Sequence, residues 1–288
     1  MRTNEDYKTY DLKKIYDTFD QWAVGNKTSD EVSAAINPEL LSDGQILKKP
    51  DRYGTTLLHI LANIGELGRL PTTVLDKDAL LIRDFSGQTV AASAAASGNF
   101  ATIPTVLLDN EVLTNPPILP LVHRLAINRE LHKIPASLLT VDVILSTDNK
   151  GLNVAHSIAN TGFKGGLNQI PKHLLDDTIL LSKDRNGRTP LDYIAEHGNF
   201  EDIPTKYLSE EILFPNQGKT HGLLDSVISG SINRKEYDFY KKILKFLSDK
   251  TIRILIKTQR GTDILELAQK EDTKRRIKKL SREEDFCL

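Results

Sequence analysis

The feature that most constrains this chain is a frame that repeats about every 33 residues, because units so short cannot bury an apolar face alone and must pack on one another. The frame opens as Asp51-Arg-Tyr-Gly54-Thr-Thr56-Leu-Leu-His59-Ile-Leu61-Ala62. It returns at Asp84-Phe-Ser-Gly87-Gln-Thr89, at Asp148-Asn-Lys-Gly151-Leu-Asn-Val-Ala-His156 and at Asp184-Arg-Asn-Gly187-Arg-Thr189-Pro190-Leu191-Asp192-Tyr-Ile194-Ala195. A second marker keeps the same phase: Leu70-Pro71, Ile103-Pro104, Ile134-Pro135, Ile170-Pro171 and Ile203-Pro204 are spaced by 33, 31, 36 and 33 residues. This marker exposes a further copy at Pro120-Leu-Val-His123-Arg-Leu125-Ala126, which has lost its Asp-x-x-Gly opening. An insert near Lys164-Gly165-Gly166 accounts for the longest interval.

Each unit has a physical interpretation. Asp-x-x-Gly is a tight-turn signature, since Asp bonds nearby backbone and Gly takes positive φ. Thr56, Thr89 and Thr189 suit an N-cap, with Pro190 at a first helical position. The spacing of Leu58, Leu61 and Ala62, and of Leu191, Ile194 and Ala195, predicts a short helix, ended by Gly65, Gly98, Gly162 or Gly198. The next Pro is expected to open a second helix in its first turn, because Pro deeper inside breaks one. Ala62, Ala126, Ala159 and Ala195 allow neighbouring helices to approach closely. Worn copies flank the array: Ile36-Asn-Pro38-Glu-Leu40-Leu41 upstream, and Gly218-Lys-Thr220 and Gly261-Thr-Asp-Ile264-Leu265 downstream. Terminal units of such arrays are atypical because they face water.

The stretch Asp184 to Asn199 and the pattern Gly54-x-Thr-x-Leu-His-x-x-Ala resemble ankyrin repeats, well over residues 37–220 and weakly over 221–270. The resemblance implies an all-α fold: a helix-turn-helix repeat solenoid, here with helical N- and C-terminal caps. It also implies a rigid, non-enzymatic scaffold that binds a partner protein. The chain departs from the family pattern in the Pro six residues after each Gly (Gly65 to Pro71, Gly98 to Pro104, Gly198 to Pro204), which delays and shortens the second helix. The family's contacts come from turn tips and first-helix ends. By position these are Arg52, Tyr53 and Ile64, then Phe85, then Asn149 and Lys150, then Arg185, Arg188 and Glu196. Thr55, Asn63, Ser86, Gln88, Leu152, Asn186 and His197 share those places. Tyr53 and Phe85 stand out. Aromatics at turn tips are either exposed anchors for an interface or lids folded over the neighbouring turn. Two other roles compete with a simple scaffold. One is inhibition or modulation of an enzyme, as by a bacterial or phage-type regulator or an effector delivered into another cell. The other is an activity in the terminal segments that the repeats target.

A formal net charge of −1 argues against a general nucleic-acid binder. The run Lys274, Arg275, Arg276, Lys278 and Lys279 is either the solvated face of a terminal helix or a docking patch for an acidic partner. The single cysteine, Cys287, forms no intramolecular disulfide or Cys-rich zinc site and suits a reducing compartment. It is also misplaced for prenylation. The start MRTNEDYKTYDLKK has no apolar signal core, and no segment approaches the apolar length of a membrane span. A cytoplasmic chain is expected, acting there or after delivery into a host or target cell.

No cofactor or metal is expected. His59, His123 and His156 share one repeat position and should form a ladder, with Ala92 and Asp192 in the same slot. Units a helix diameter of about 10 Å apart cannot converge on one ion through bonds of about 2.1 Å. The expectation is instead a histidine bonded to backbone of the adjoining turn. Gly218-Lys219-Thr220 lacks the Gly of a phosphate loop, Leu213 standing in its place. The Asp148 and Asp184 turns lack the acidic residue that closes a calcium loop. No nucleophile elbow occurs, and Asp176-Asp177 and Glu210-Glu211 suit helix capping.

Domain limits follow from these observations: a helical cap over 1–36, the repeat array over 37–220 and a C-terminal helical cap over 221–288. Leu12, Ile15, Tyr16, Phe19 and Trp22 fit an amphipathic helix in the first, and Tyr237, Phe239, Tyr240, Ile243, Leu247 and Ile252 make the last too apolar for a tail.

Overall fold

Apolar residues on every side of a short helix leave it no face for solvent, and the first helix of each repeat is of this kind. In α4 (Leu57–Ile64) every residue from Leu57 to Ala62 is buried. The same holds for α6 (Val90–Ala96) through Ala95 and for α10 (Val154–Asn160) through Ala159. The counterparts α8 (Leu121–Ile127) and α12 (Pro190–Glu196) are buried along most of their length. The computed structural model describes residues 4–115, 119–215, 222–234, 243 and 246–256. Gly218–Thr220, His221, Tyr237–Tyr240, the copy at Gly261, the basic run and Cys287 lie outside them. Among the described residues the protein is all-helical, with fifteen α-helices and a single bridge pairing Arg83 with Thr89.

One order of elements recurs. The first helix is followed by a 3-10 turn, the proline, a second tight turn and a short α-helix. These second helices are α5 (Lys77–Leu81), α7 (Asn110–Thr114), α9 (Val141–Leu145), α11 (Asp177–Leu180) and α13 (Glu210–Leu213). Each starts six residues after its proline, which corrects the expectation that proline opens the second helix. The cause is local. The proline carbonyl accepts from the amide three residues on, as in Val74 to Pro71 at 2.9 Å and Leu107 to Pro104 at 3.0 Å, which closes a tight turn. The α-helix must then be nucleated afresh. Asp76, Asp109, Thr140 and Asp176 do so, each accepting from the backbone N–H three residues later. The worn upstream copy has the same layout: Pro38 heads a 3-10 helix and Asp43 caps α3 (Gly44–Leu47).

The chain forms two compact units, Met1–Asn149 and Lys150–Leu288. In the first, α1 (Asn4–Ala23) packs on α2 (Ser29–Ala35), burying Leu12 and Ile15, while Phe19 stacks on Trp22 at 5.1 Å. Tyr16 anchors α1 by donating to the Lys49 carbonyl at 2.8 Å, and α4, α6 and α8 then pack in succession. In the second unit α10, α12 and α14 (Leu223–Arg234) pack in turn. Leu191, Tyr207, Leu213, Leu224, Val227 and Ile252, the last from α15 (Asp249–Ile256), share one core there. Gly230 lets α14 cross α12 closely, since a Cβ there would strike the Ala195 carbonyl.

First helices end in the left-handed conformation at Gly65, Gly98, Gly162 and Gly198, and at the matching place after α8 stands Arg129 with φ 63°. A side chain in that conformation costs about 1 kcal/mol. Arg129→Gly is therefore expected to raise stability by about 1 kcal/mol in urea denaturation. An unchanged midpoint would mean that contacts of the Arg129 side chain offset the strain.

Candidate protein-interaction surface

The turn tips are built from the aspartate that opens each frame. Asp51 Oδ1 accepts from the amides of Tyr53 and Thr55, both at 2.8 Å. Asp84 accepts from the Ser86 hydroxyl at 2.6 Å and the Gln88 amide at 2.9 Å. Asp184 accepts from the amides of Asn186 and Arg188 at 2.8 and 2.9 Å and from the Tyr193 hydroxyl at 2.8 Å. Burial pushes the Asp184 carboxyl up, but hydrogen bonds from Arg188, Tyr193 and Asn186 outweigh it and hold it below its ordinary value. Burial and that carboxylate together push the Tyr193 phenol up to about 12. With Asp tied inward, the residues between Asp and Gly project outward.

Tyr53 is 54% exposed and Phe85 77%. Both are presented to solvent, and Phe85 also lies over the preceding turn, its ring Cδ1 2.7 Å from where a Cβ on Gly54 would be. The Phe85 amide donates to the Tyr53 carbonyl at 3.0 Å, so consecutive tips are tied by backbone. Gly54 makes this approach feasible, because a Cβ there would lie 2.5 Å from the Phe85 nitrogen. In the second unit Arg185 sits over Gly151 in the same manner, its Cγ 2.7 Å from where a Cβ would be.

Beneath the tips, the histidine slot joins each helix to the next turn. His59 Nδ1 accepts from the Thr56 amide at 3.2 Å, while Nε2–H donates to the Gln88 carbonyl at 3.2 Å. In α10, His156 Nδ1 accepts from the Asn153 amide at 3.3 Å and Nε2–H donates to the Arg188 carbonyl at 2.9 Å. His123 donates to the Ser146 carbonyl at 2.9 Å. The backbone role expected of these histidines is thus observed. In α12 Asp192 takes over the capping half, accepting from the Thr189 amide and hydroxyl at 2.7 Å each, and it also accepts from Ser226 of α14 at 2.9 Å. At the other end of the helices asparagines do the joining. Asn99 donates to the Asn63 carbonyl at 2.7 Å, Asn128 to Ala95 at 3.1 Å and Asn199 to Gly162 at 2.9 Å. Sequence reasoning assigned these asparagines no role. The available signal was their recurrence beside the residue that ends the helix in Gly98-Asn99, Asn128-Arg129 and Gly198-Asn199.

The expected contact residues separate into groups. Arg52, Tyr53 and Phe85 lie together in the first unit, with the Arg52 guanidinium 4.6 Å over the Tyr53 ring and paired with Asp20 at 3.2 Å. Ile64 is half-buried at the far end of α4, away from the tip of its own repeat. Asn149 closes the first unit and Lys150 opens the second, both exposed. In the second unit Arg185 is exposed, whereas Arg188 lies 4.1 Å over the Tyr193 ring and pairs with Glu196 at 2.6 Å. Leu152 is corrected from contact residue to core. Asn63 is engaged internally, donating to the His59 carbonyl and accepting from Ser97. Among the described residues no cluster of three or more His, Cys, Asp or Glu is placed to hold a metal ion, and no helix is long and apolar enough to cross a membrane. No protein-family model matches the chain, and no curated protein matches it.

Burial holds the imidazoles of His59 and His156 below their ordinary pKa, despite the hydrogen bonds they donate to the Gln88 and Arg188 carbonyls, which favour the proton. In the unfolded chain each imidazole takes a proton below pH of about 6.5, while in the folded chain it resists doing so. Stability is thus fully present above that pH and falls as pH is lowered, until the folded histidines protonate too. Within that window the slope for each histidine has an upper bound of about 1.4 kcal/mol per pH unit, the limit for one proton. Urea denaturation across this range should show the decline, and His59→Gln/His156→Gln should flatten it. Equal slopes would mean that other groups carry the pH dependence.

Proposed function

We propose that the chain is an ankyrin-like repeat solenoid with helical caps, serving as a non-enzymatic scaffold that binds a partner protein through its turn tips. The recurrence of one element order in both units supports the repeat assignment, as does the packing of first helices in succession within each. The observation that carries the functional reading is the pair of exposed aromatics, Tyr53 and Phe85, on consecutive tips tied by one backbone hydrogen bond. Large aromatic surface held rigidly in solvent loses little entropy on association and suits the anchor of an interface. Arg52 enlarges that surface by lying over Tyr53, and Arg185 offers a cation on the corresponding tip of the second unit.

The test is affinity capture with mass spectrometry, comparing wild type with Tyr53→Ala/Phe85→Ala/Arg185→Ala. These side chains are exposed, so the variant should keep its helical circular dichroism. The expected outcome is loss of specific partners from the variant, with about tenfold or greater weakening for each anchor removed. Retention of every partner by a folded triple variant would refute the tip surface.

A further inference from the structure

Arg124, in α8, holds the position occupied by Ile60, Ser93, Ser157 and Tyr193 in the other first helices. A permanent cation thus stands where the sister units place neutral side chains. It is half-buried, and desolvation alone pulls its pKa down. Its guanidinium meets the Gln88 side-chain oxygen at 3.3 Å, a long bond to a neutral acceptor, and its buried Nε–H finds no acceptor among the described residues. Arg188 shares the buried, unpartnered Nε–H, and the contrast within the chain is its counter-charge, Glu196 at 2.6 Å. A desolvated cation without a counter-charge is costly, and a carboxylate answers it with short, charge-assisted hydrogen bonds.

A cavity of about 130 Å³ adjoins this guanidinium, lined by Ser86, Gln88, Thr89, Ala92, Asn115 and Arg124 among others. The slot that His59, His156 and Asp192 fill elsewhere is occupied here only by the methyl group of Ala92. Asp192 demonstrates that the slot accommodates a carboxylate, received there by the Thr189 hydroxyl and amide. Thr89 is the counterpart of Thr189 and lines the same cavity. The volume suits one carboxyl group on a short stem and is well below the roughly 300 Å³ of a drug-sized site.

We infer that this cavity is a carboxylate-binding site, in which an acidic group of a ligand pairs with Arg124 and occupies the space left by Ala92. The carboxylate has two sources, a small free acid or an Asp or Glu side chain of a polypeptide lying along the turn that carries Phe85. The small-acid form stands independently of the protein-binding role, and the polypeptide form rests on it.

The test follows the Arg124 Nε–Hε resonance by NMR in the full-length protein during titration with sodium acetate, against sodium chloride at matched ionic strength. Acetate should give a saturable shift that chloride does not, and Arg124→Gln should abolish acetate binding. Ala92→Asp supplies the carboxylate in cis. It should reproduce the bound resonance without acetate and weaken acetate binding at least about tenfold. Ala92→Asp thus keeps the test decisive should Arg124→Gln fail to fold. The capped peptide acetyl-Gly-Asp-Gly-amide binding about tenfold tighter than acetate identifies a polypeptide source, and equal binding identifies a small acid. Acetate and chloride acting alike on the wild type, or acetate binding undiminished in Ala92→Asp, would overturn the inference.

Discussion

Every element of this protein depends on helices that have no solvent face of their own. Burying a leucine or isoleucine side chain contributes roughly 1.5–3 kcal/mol, whereas a typical hydrogen bond contributes about 1 kcal/mol net. Burial of Leu57, Leu58, Ile60 and Leu61 in α4 therefore outweighs the one bond that His59 makes to the next turn. The polar contacts have another effect, which is to set register. His59 joins the N-terminal end of α4 to the Gln88 carbonyl, and Asn99 reaches back from the following repeat to the Asn63 carbonyl at its C-terminal end. Fixed at both ends, two adjacent repeats have one way to pack.

That register carries through to the surface. The bond from Phe85 to Tyr53 requires Gly54 to lack a side chain and requires the two turns to lie at one height, which the His59 contact ensures. The exposed aromatics are thus held by the buried histidine slot beneath them. Change within the slot changes what the surface offers: Ala92 lines a cavity beside Arg124, whereas His156 and Asp192 fill the same slot with hydrogen-bonded side chains.

Much of this was legible in the sequence because it depends on period. The phase of the prolines, the capping threonines, the terminating glycines and the backbone role of the histidines all follow from comparing copies. The second helices were misplaced because their starts depend on a carbonyl at Pro71 or Pro104 closing a tight turn before an aspartate can cap anew, and apolar spacing carries no trace of that. Asn99 and Asn199 escaped notice because their acceptors lie 36 and 37 residues back and come within reach only once repeats are packed. Arg124 looks like an ordinary helical cation until its position is aligned with Ile60 and Tyr193, and Leu152 looks like a tip residue until its side chain is followed inward.

Native-state hydrogen exchange on His59→Ala tests most directly whether adjacent repeats share one register and one stability. The account predicts that amides of α4, of α6 and of the Asp84–Thr89 turn all lose protection by the same free energy, since the histidine couples one repeat to the next. Loss confined to α4, with α6 and that turn protected as in the wild type, would contradict it.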